Sequence, residues 1–256
     1  TDPCEFEADS QDTSTTSMEW NDADCDGDGV TNGQEITDGT DPTDPCDYEE
    51  ASQDTTTTST DWNDADCDGD GVTNGQEVLD GTDPTDPCDF EADSQDTSTT
   101  STDWNTADCD GDGVTNGQEI SDGTDPTDPC EFEADSQDTS TTSTDWNTAD
   151  CDGDGVTNGQ EISDGTDPTD PCEFEADSQD TSTTSMEWND ADCDGDGVTN
   201  GQEIIDETDP TDPCDFEADS QDTSTTSMEW NDADCDGDGV TNGQEIIDET
   251  DPTDPC

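Results

Sequence analysis

The chain has 256 residues, of which 79 are Asp or Glu and none is Lys, Arg or His, giving a formal net charge of −79. Only 21% of residues are hydrophobic, against about 45–50% apolar content in an ordinary globular domain, which excludes a conventional core. Such a polyanion is also excluded from binding nucleic acid or anionic membrane surfaces, since both recruit Lys and Arg, and no run of about 20 apolar residues is present to insert into a bilayer.

In chain order, the first element is Cys4-Glu5-Phe6-Glu7-Ala8. Its alternation puts Cys4, Phe6 and Ala8 on one face, as a strand would. A Ser/Thr run follows (Thr13, Ser14, Thr15, Thr16, Ser17), then Trp20. Next comes an acidic, Gly-rich loop, DCDGDGVTNGQE over 24–35, which leads into a short helix-like piece ending near Ile36. The stretch GTDPTDP closes the pattern. A residue before Pro is held extended, so this stretch predicts a stiff connector.

The whole pattern then recurs. Cysteines fall every 21 residues from Cys4 to Cys256, and the motifs around them alternate, so the period is 42 residues. The repeats are 4–45, 46–87, 88–129, 130–171, 172–213 and 214–255, with 1–3 reading as the end of a preceding repeat and 256 as the start of a next one. The chain opens and closes on TDPC, which reads as an excerpt of a longer periodic polymer or as a segment whose ends join identical neighbours. A period of this kind predicts an array in which each unit contacts mainly its neighbours.

The loop carries the chemistry. Asp24, Asp26 and Asp28 stand at positions 1, 3 and 5, Gly29 at 6 and Glu35 at 12, which is the D-x-[DN]-x-[DN]-G-x5-E calcium pattern. Calcium takes six to eight hard oxygens at about 2.3–2.6 Å. Alternate residues of a tight loop aim three carboxylates at one point, the Val30 carbonyl is placed to add an oxygen, Asn32 to act directly or through water, and Glu35 to close the shell. The same set returns as Asp66, Asp68, Asp70, Val72, Asn74 and Glu77, as Asp108, Asp110, Asp112, Val114, Asn116 and Glu119, and as Asp150, Asp152, Asp154, Val156, Asn158 and Glu161. It returns again as Asp192, Asp194, Asp196, Val198, Asn200 and Glu203, and as Asp234, Asp236, Asp238, Val240, Asn242 and Glu245. A merely acidic linker would not hold these offsets while a neighbouring position drifts from Thr37 to Leu79, Ser121 and Ile205. The flanking Ser/Thr, Trp and Asn residues make no amphipathic helix, so the loop is EF-like in its ligands only.

The string DCDGDGVTNGQEITDGTDPTDPC, preceded by CEFEADSQ and a Trp, resembles the thrombospondin type 3-like calcium-binding repeats of bacterial, flavobacterial-type surface adhesin and fibre proteins. The resemblance is read over nearly the whole repeat. It implies secreted, cell-surface material with a structural or adhesive role, and it carries the ligand roles onto Asp24, Asp26, Asp28, Asn32, Glu35 and their equivalents. Two departures stand out: the dense Ser/Thr run, and Glu207 and Glu249 where other repeats have Gly39, Gly81, Gly123 and Gly165. The two glutamates imply that a left-handed backbone is not needed at that position.

Six divalent ions would neutralise only a small part of the charge. Asp38, Asp41 and Asp44 are regularly placed to form or complete a second site between repeats, the alternative being solvent exposure with diffuse counterions. Thirteen regularly spaced cysteines point to an oxidising, extracytoplasmic setting. Two serial pairings fit, Cys4 with Cys25 or Cys25 with Cys46. The first is favoured because the segment it closes has no metal to order it and would gain Phe6 packed near Trp20; it continues as Cys46–Cys67, Cys88–Cys109, Cys130–Cys151, Cys172–Cys193 and Cys214–Cys235. The Ser/Thr runs, including Thr55, Thr56, Thr57 and Thr58, read either as a flexible polar tip or as an O-glycosylation platform.

The expectation is therefore a mostly irregular, linear, calcium-stabilised array of six 42-residue repeats with EF-like loops, short helical turns and small disulfide-stapled hairpins. The expected role is a non-enzymatic extracellular fibre or adhesin stalk, partnered by calcium, glycans and identical chains in a fibril. The alternatives are an acidic calcium-concentrating matrix protein and a disordered acidic spacer.

Overall fold

The computed structural model describes Cys4 and residues 17–255. Six tandem repeats are built from short helices, irregular loops and six disulfides, and no described residue lies in a strand. The chain divides into two compact units, one formed by Thr1–Cys109, Val114–Thr127 and Glu133–Ser136, the other by Asp110–Gly113, Asp128–Phe132 and Gln137–Cys256.

The second repeat, in the first unit, serves as the example. Its first helix is a single turn, Thr60–Asn63, started by Ser59, whose Oγ accepts the Trp62 N–H at 3.0 Å. Four residues cannot hold a helix alone. Packing holds this one: Trp62 is 1% exposed, its indole N–H donates to the Pro45 carbonyl at 2.9 Å, and Tyr48 meets it edge-on at 6.0 Å. The Cys46–Cys67 disulfide closes the same segment, with Cα atoms 5.4 Å apart. The second unit repeats this small core, for example Phe216 on Trp230 at 5.8 Å beside Cys214–Cys235. Phe6 lies outside the described residues.

The second helix, Asn74–Asp80, follows the loop and ends at Gly81, which is left-handed at φ 86°. The Gly81 and Thr82 N–H groups both return to the Glu77 carbonyl, at 2.7 and 3.1 Å, a left-handed C-cap. The glutamates at this position correct the sequence expectation. Glu207 and Glu249 adopt the same left-handed backbone, at φ 63° and 59°. A Cβ at Gly81 would meet nothing within 4 Å; the position tolerates a side chain sterically, and the capping geometry imposes the φ.

Two other expectations change. Among the described residues the alternation after the first cysteine of a repeat yields no strand; residues 46–49 run irregularly into a 3-10 turn at Glu50–Ser52. The TDPTDP stretch is not a straight spacer but two successive turns. Asp41 Oδ1 accepts from the Thr43 N–H and hydroxyl, Asp44 Oδ1 accepts from the Cys46 N–H, and backbone bonds close Asp44 on Asp41 and Asp47 on Asp44. Asp first and Pro second is the ordinary signature of such turns.

Successive repeats interlock within each unit. In the first, the Asp54 and Ser59 N–H groups donate to the Gly29 and Gly27 carbonyls at 3.0 and 2.7 Å, and Ser52 Oγ donates to Asp38 at 2.6 Å. In the second, Asp222, Ser227 and Ser220 do the same to Gly197, Gly195 and Asp206. Close approach explains two loop glycines: a Cβ on Gly29 would lie 2.6 Å from the Asp54 carbonyl oxygen, and one on Gly27 would lie 2.5 Å from the Ser59 Cβ.

Candidate metal centre

The loop folds itself through its aspartates. Asp24 accepts the Gly27 N–H on Oδ1 at 2.7 Å and the Gly29 N–H on Oδ2 at 3.1 Å. Asp26 Oδ1 accepts the Asp28 N–H at 3.3 Å, and Asp28 Oδ1 accepts the Val30 N–H at 2.7 Å. Each carboxylate thus bends the chain ahead of it in a local turn. Gly27 and Gly29 supply the positive φ, 83° and 91°, that these turns require. Carboxylate oxygens of Asp24, Asp26 and Asp28 come within 4.8 Å of one another, as do those of Asp66, Asp68 and Asp70, of Asp150, Asp152 and Asp154, and of Asp192, Asp194 and Asp196.

What remains is a set of buried oxygens with nothing to accept. Asp26 Oδ2, Asp28 Oδ2 and both oxygens of Glu35 are buried without a hydrogen-bond partner, and Asp28 and Glu35 are each 0% exposed. The arrangement returns at Glu77, Glu161 and Glu203. Burial, reinforced by the neighbouring carboxylates, pushes Asp28 up to about 7 and Glu35 up to about 8; Asp26 is raised by burial to about 6. Buried, unpaired carboxylates are strongly unfavourable unless a proton or a cation compensates them. An all-oxygen donor set of carboxylates and backbone carbonyls suits a hard divalent cation, calcium above all.

Other expected site residues fall differently. Asn32 faces the frame rather than the carboxylates: its Oδ1 accepts the Cys25 N–H at 3.1 Å, while its Nδ2 donates to the Trp20 carbonyl at 2.8 Å and contacts Cys25 Sγ at 3.2 Å. That amide ties loop, disulfide and Trp together, and it does so again at Asn74, Asn158, Asn200 and Asn242. Val30 is 2% exposed and brings its backbone, not its side chain, to the loop. Asp38, Asp41 and Asp44 each accept hydrogen bonds at the surface, Asp38 from Gln34 and Ser52, and the latter two within their own turns. Cysteines pair as Cys4–Cys25, Cys46–Cys67, Cys88–Cys109, Cys130–Cys151, Cys172–Cys193 and Cys214–Cys235. Thr13, Ser14, Thr15 and Thr16 lie outside the described residues. Ser17 caps the Trp20 helix at 3.1 Å, Thr55, Thr56 and Thr57 are exposed, and Thr58 is half-buried.

Sequence reasoning passed over Ser52, Gln53 and Asp54, which reach back to the preceding loop. A signal was present: Ser-Gln-Asp stands unchanged before the hydroxyl run of every repeat, as in Ser94-Gln95-Asp96.

No helix among the described residues is long and apolar enough to cross a membrane. Neither a curated protein nor a solved structure matches the chain. The family described as bacterial TSP3 repeat matches six times, at residues 24–45, 66–87, 108–129, 150–171, 192–213 and 234–255. Each match takes in the acidic loop, the helix after it and the Pro turns; the Cys-to-Trp half lies outside it, so the family resemblance is narrower than the nearly whole repeat expected from sequence. These six segments make up just over half of the chain, which therefore belongs to the bacterial TSP3 repeat family and is a structural repeat protein of calcium-binding type.

Proposed function

We propose that each loop holds one calcium ion, with Asp24, Asp26, Asp28, the Val30 carbonyl and Glu35 as ligands in the first repeat and their equivalents in the others. The observation that carries this reading is Glu35, fully buried with both carboxylate oxygens lacking a donor. Bound there, calcium would supply the positive charge that a chain without Lys, Arg or His cannot supply itself. The protein contributes a preformed loop, an Asn strut beneath it and a dry enclosure. Calorimetric titration of the whole chain with calcium, in parallel with small-angle scattering, tests the reading. Saturable binding at one ion per loop, with expansion of the chain on adding EDTA while the disulfides stay oxidised, is the expected result. Diffuse, non-saturating uptake would favour an acidic matrix that concentrates calcium, and no structural response would favour a disordered spacer.

The repeats 4–45 to 214–255 then serve as links of an extracellular fibre or adhesin stalk whose stiffness depends on calcium, a mechanical rather than catalytic role. Six disulfides favour an oxidising compartment outside the cytoplasm. The exposure of Thr55, Thr56 and Thr57 favours O-glycosylation of the hydroxyl runs, including Thr13 to Ser17 in the first repeat. Intact-mass measurement of natively produced protein before and after chemical deglycosylation tests this; a single unmodified mass would refute it.

A further inference from the structure

Gln53 lies in the half of the repeat that no family match covers, and its side chain crosses to the preceding loop. Its Nε2 donates to the Asp28 carbonyl at 2.7 Å, from 25 residues downstream. The contact recurs, at 2.6 Å each time, from Gln95 to Asp70, Gln137 to Asp112, Gln179 to Asp154 and Gln221 to Asp196. The residue gripped is the one at loop position 5, whose side chain is a candidate ligand; Asp28, Asp70, Asp154 and Asp196 each keep a buried oxygen without a hydrogen-bond partner. With the Asp54 N–H on Gly29 and the Ser59 N–H on Gly27, three consecutive loop carbonyls are fixed by the next repeat. Only a neutral donor suits this place: a Glu would set a further carboxylate against a carbonyl oxygen beside three others.

Resting on the calcium reading above, we infer that each site is composite. The loop supplies the ligands, and the Gln of the following repeat is a positioning residue that holds loop position 5 and shuts the site from water. A covered loop therefore binds calcium more tightly and releases it more slowly than an uncovered one. The 256-residue chain carries both kinds. Loop 234–245 is the uncovered kind among the described residues: its Asp238 is exposed where Asp28, Asp70, Asp154 and Asp196 are 0% exposed.

Calorimetry on the intact chain tests this directly, with calcium alone as the probe. The expected isotherm has two classes, five tight sites and one weaker by about five- to tenfold, the loss expected for one neutral hydrogen bond. Gln53→Met, which keeps length but removes the donor, transfers one site between classes, to four tight and two weak. Gln221→Met at another junction does the same independently, so neither variant alone has to fold. Hydrogen exchange reports the same event at a second place: the Asp54 amide exchanges faster in Gln53→Met with calcium bound, while the Asp96 amide keeps its protection. A merely structural glutamine would lower the melting temperature without moving a site between classes. Six equivalent sites in the unaltered chain, or an unchanged division in both variants, would overturn the inference while leaving the calcium reading intact. Absence of saturable binding would overturn both.

Discussion

Loops 192–203 and 234–245 have identical letters and different surroundings. Their internal bonds are nearly the same. Gly195 and Gly197 donate to Asp192 at 2.8 and 3.0 Å, and Gly237 and Gly239 donate to Asp234 at the same two distances. Val198 reaches Asp196 at 2.7 Å and Val240 reaches Asp238 at 2.8 Å. Burial separates them: Asp196 is 0% and Val198 1% exposed, whereas Asp238 is exposed and Val240 only half-buried. The shape of the loop is thus local, written in Asp and Gly at fixed offsets, and its dryness is supplied by the repeat that follows.

Raising the pH of the cation-free chain should strain the two loops unequally, and this is the largest effect expected because every covered loop contributes. Burial raises Glu203 from its ordinary 4.5 to about 9, and Asp196 to about 6, in the absence of an ion. A carboxylate raised on folding prefers its protonated form in the folded state. Its stabilising contribution is complete below the unfolded value and is lost as pH climbs through the folded one. Between about pH 4.5 and 9 the cation-free repeats should therefore lose stability as pH rises, the reverse of ordinary acid denaturation, whereas bound calcium should flatten the dependence by displacing those protons. Thermal melts across that range in EDTA and in saturating calcium check the sign; greater stability at pH 8 than at pH 5 in EDTA would contradict it.

A single methyl group probes the same difference. Gly197→Ala would place a Cβ 2.6 Å from the Asp222 carbonyl oxygen, on a backbone at φ 92°, while Gly239→Ala, at φ 96°, would meet nothing within 4 Å. The first combines a steric clash with the left-handed penalty and should cost about 3 kcal/mol or more; the second should cost about 1–2 kcal/mol. Denaturant melts of the two variants in calcium give the comparison. Equal losses would mean that the downstream repeat does not press on the loop in solution.

Much of the loop's shape was legible because its logic is local. Asp at alternate positions, Gly at the sharp turns and Glu closing the loop are constraints within twelve letters, repeated six times over. The disulfide pairing followed from asking which segment lacked another source of order. What could not be read were the orientation of single side chains and the contacts between repeats. Asn32 looks like a ligand by offset, yet its amide serves Trp20 and Cys25, and nothing in the loop pattern says which way an amide will turn. Gln53 acts across 25 residues, where spacing carries no periodic signal beyond its own invariance. At Glu207 the letter is misleading: a side chain there suggests that the left-handed backbone is not needed, yet the residue adopts it at φ 63°.

That glutamate sets up a smaller contrast, between repeats ending their second helix on Gly and those ending it on Glu. Glu207→Gly removes the strain of a left-handed side-chain-bearing residue but adds freedom to the unfolded chain, so the net gain should be about 0.5–1 kcal/mol. Gly81→Glu, where the added Cβ meets nothing within 4 Å, should cost the same amount in the other direction. Melting temperatures of both variants in calcium measure it, and opposite signs are required.

The smallest expected effect separates the second repeat from its Phe-bearing neighbours. Tyr48 takes the place of Phe90 and makes the same edge-on contact with its Trp, 6.0 against 5.9 Å. Its hydroxyl is buried without a hydrogen-bond partner, although the Gln53 amide that donates to Asp28 lies close by. Burial accordingly pushes the phenol well above its ordinary range. Tyr48→Phe should leave the aromatic pair intact and gain up to about 1 kcal/mol by removing the unsatisfied group. In Gln53→Met the neighbouring amide is absent altogether, and the same Tyr48→Phe change should give the same gain. A gain that appears only when Gln53 is present would show instead that the two side chains compete, with the phenol drawing the amide away from the loop.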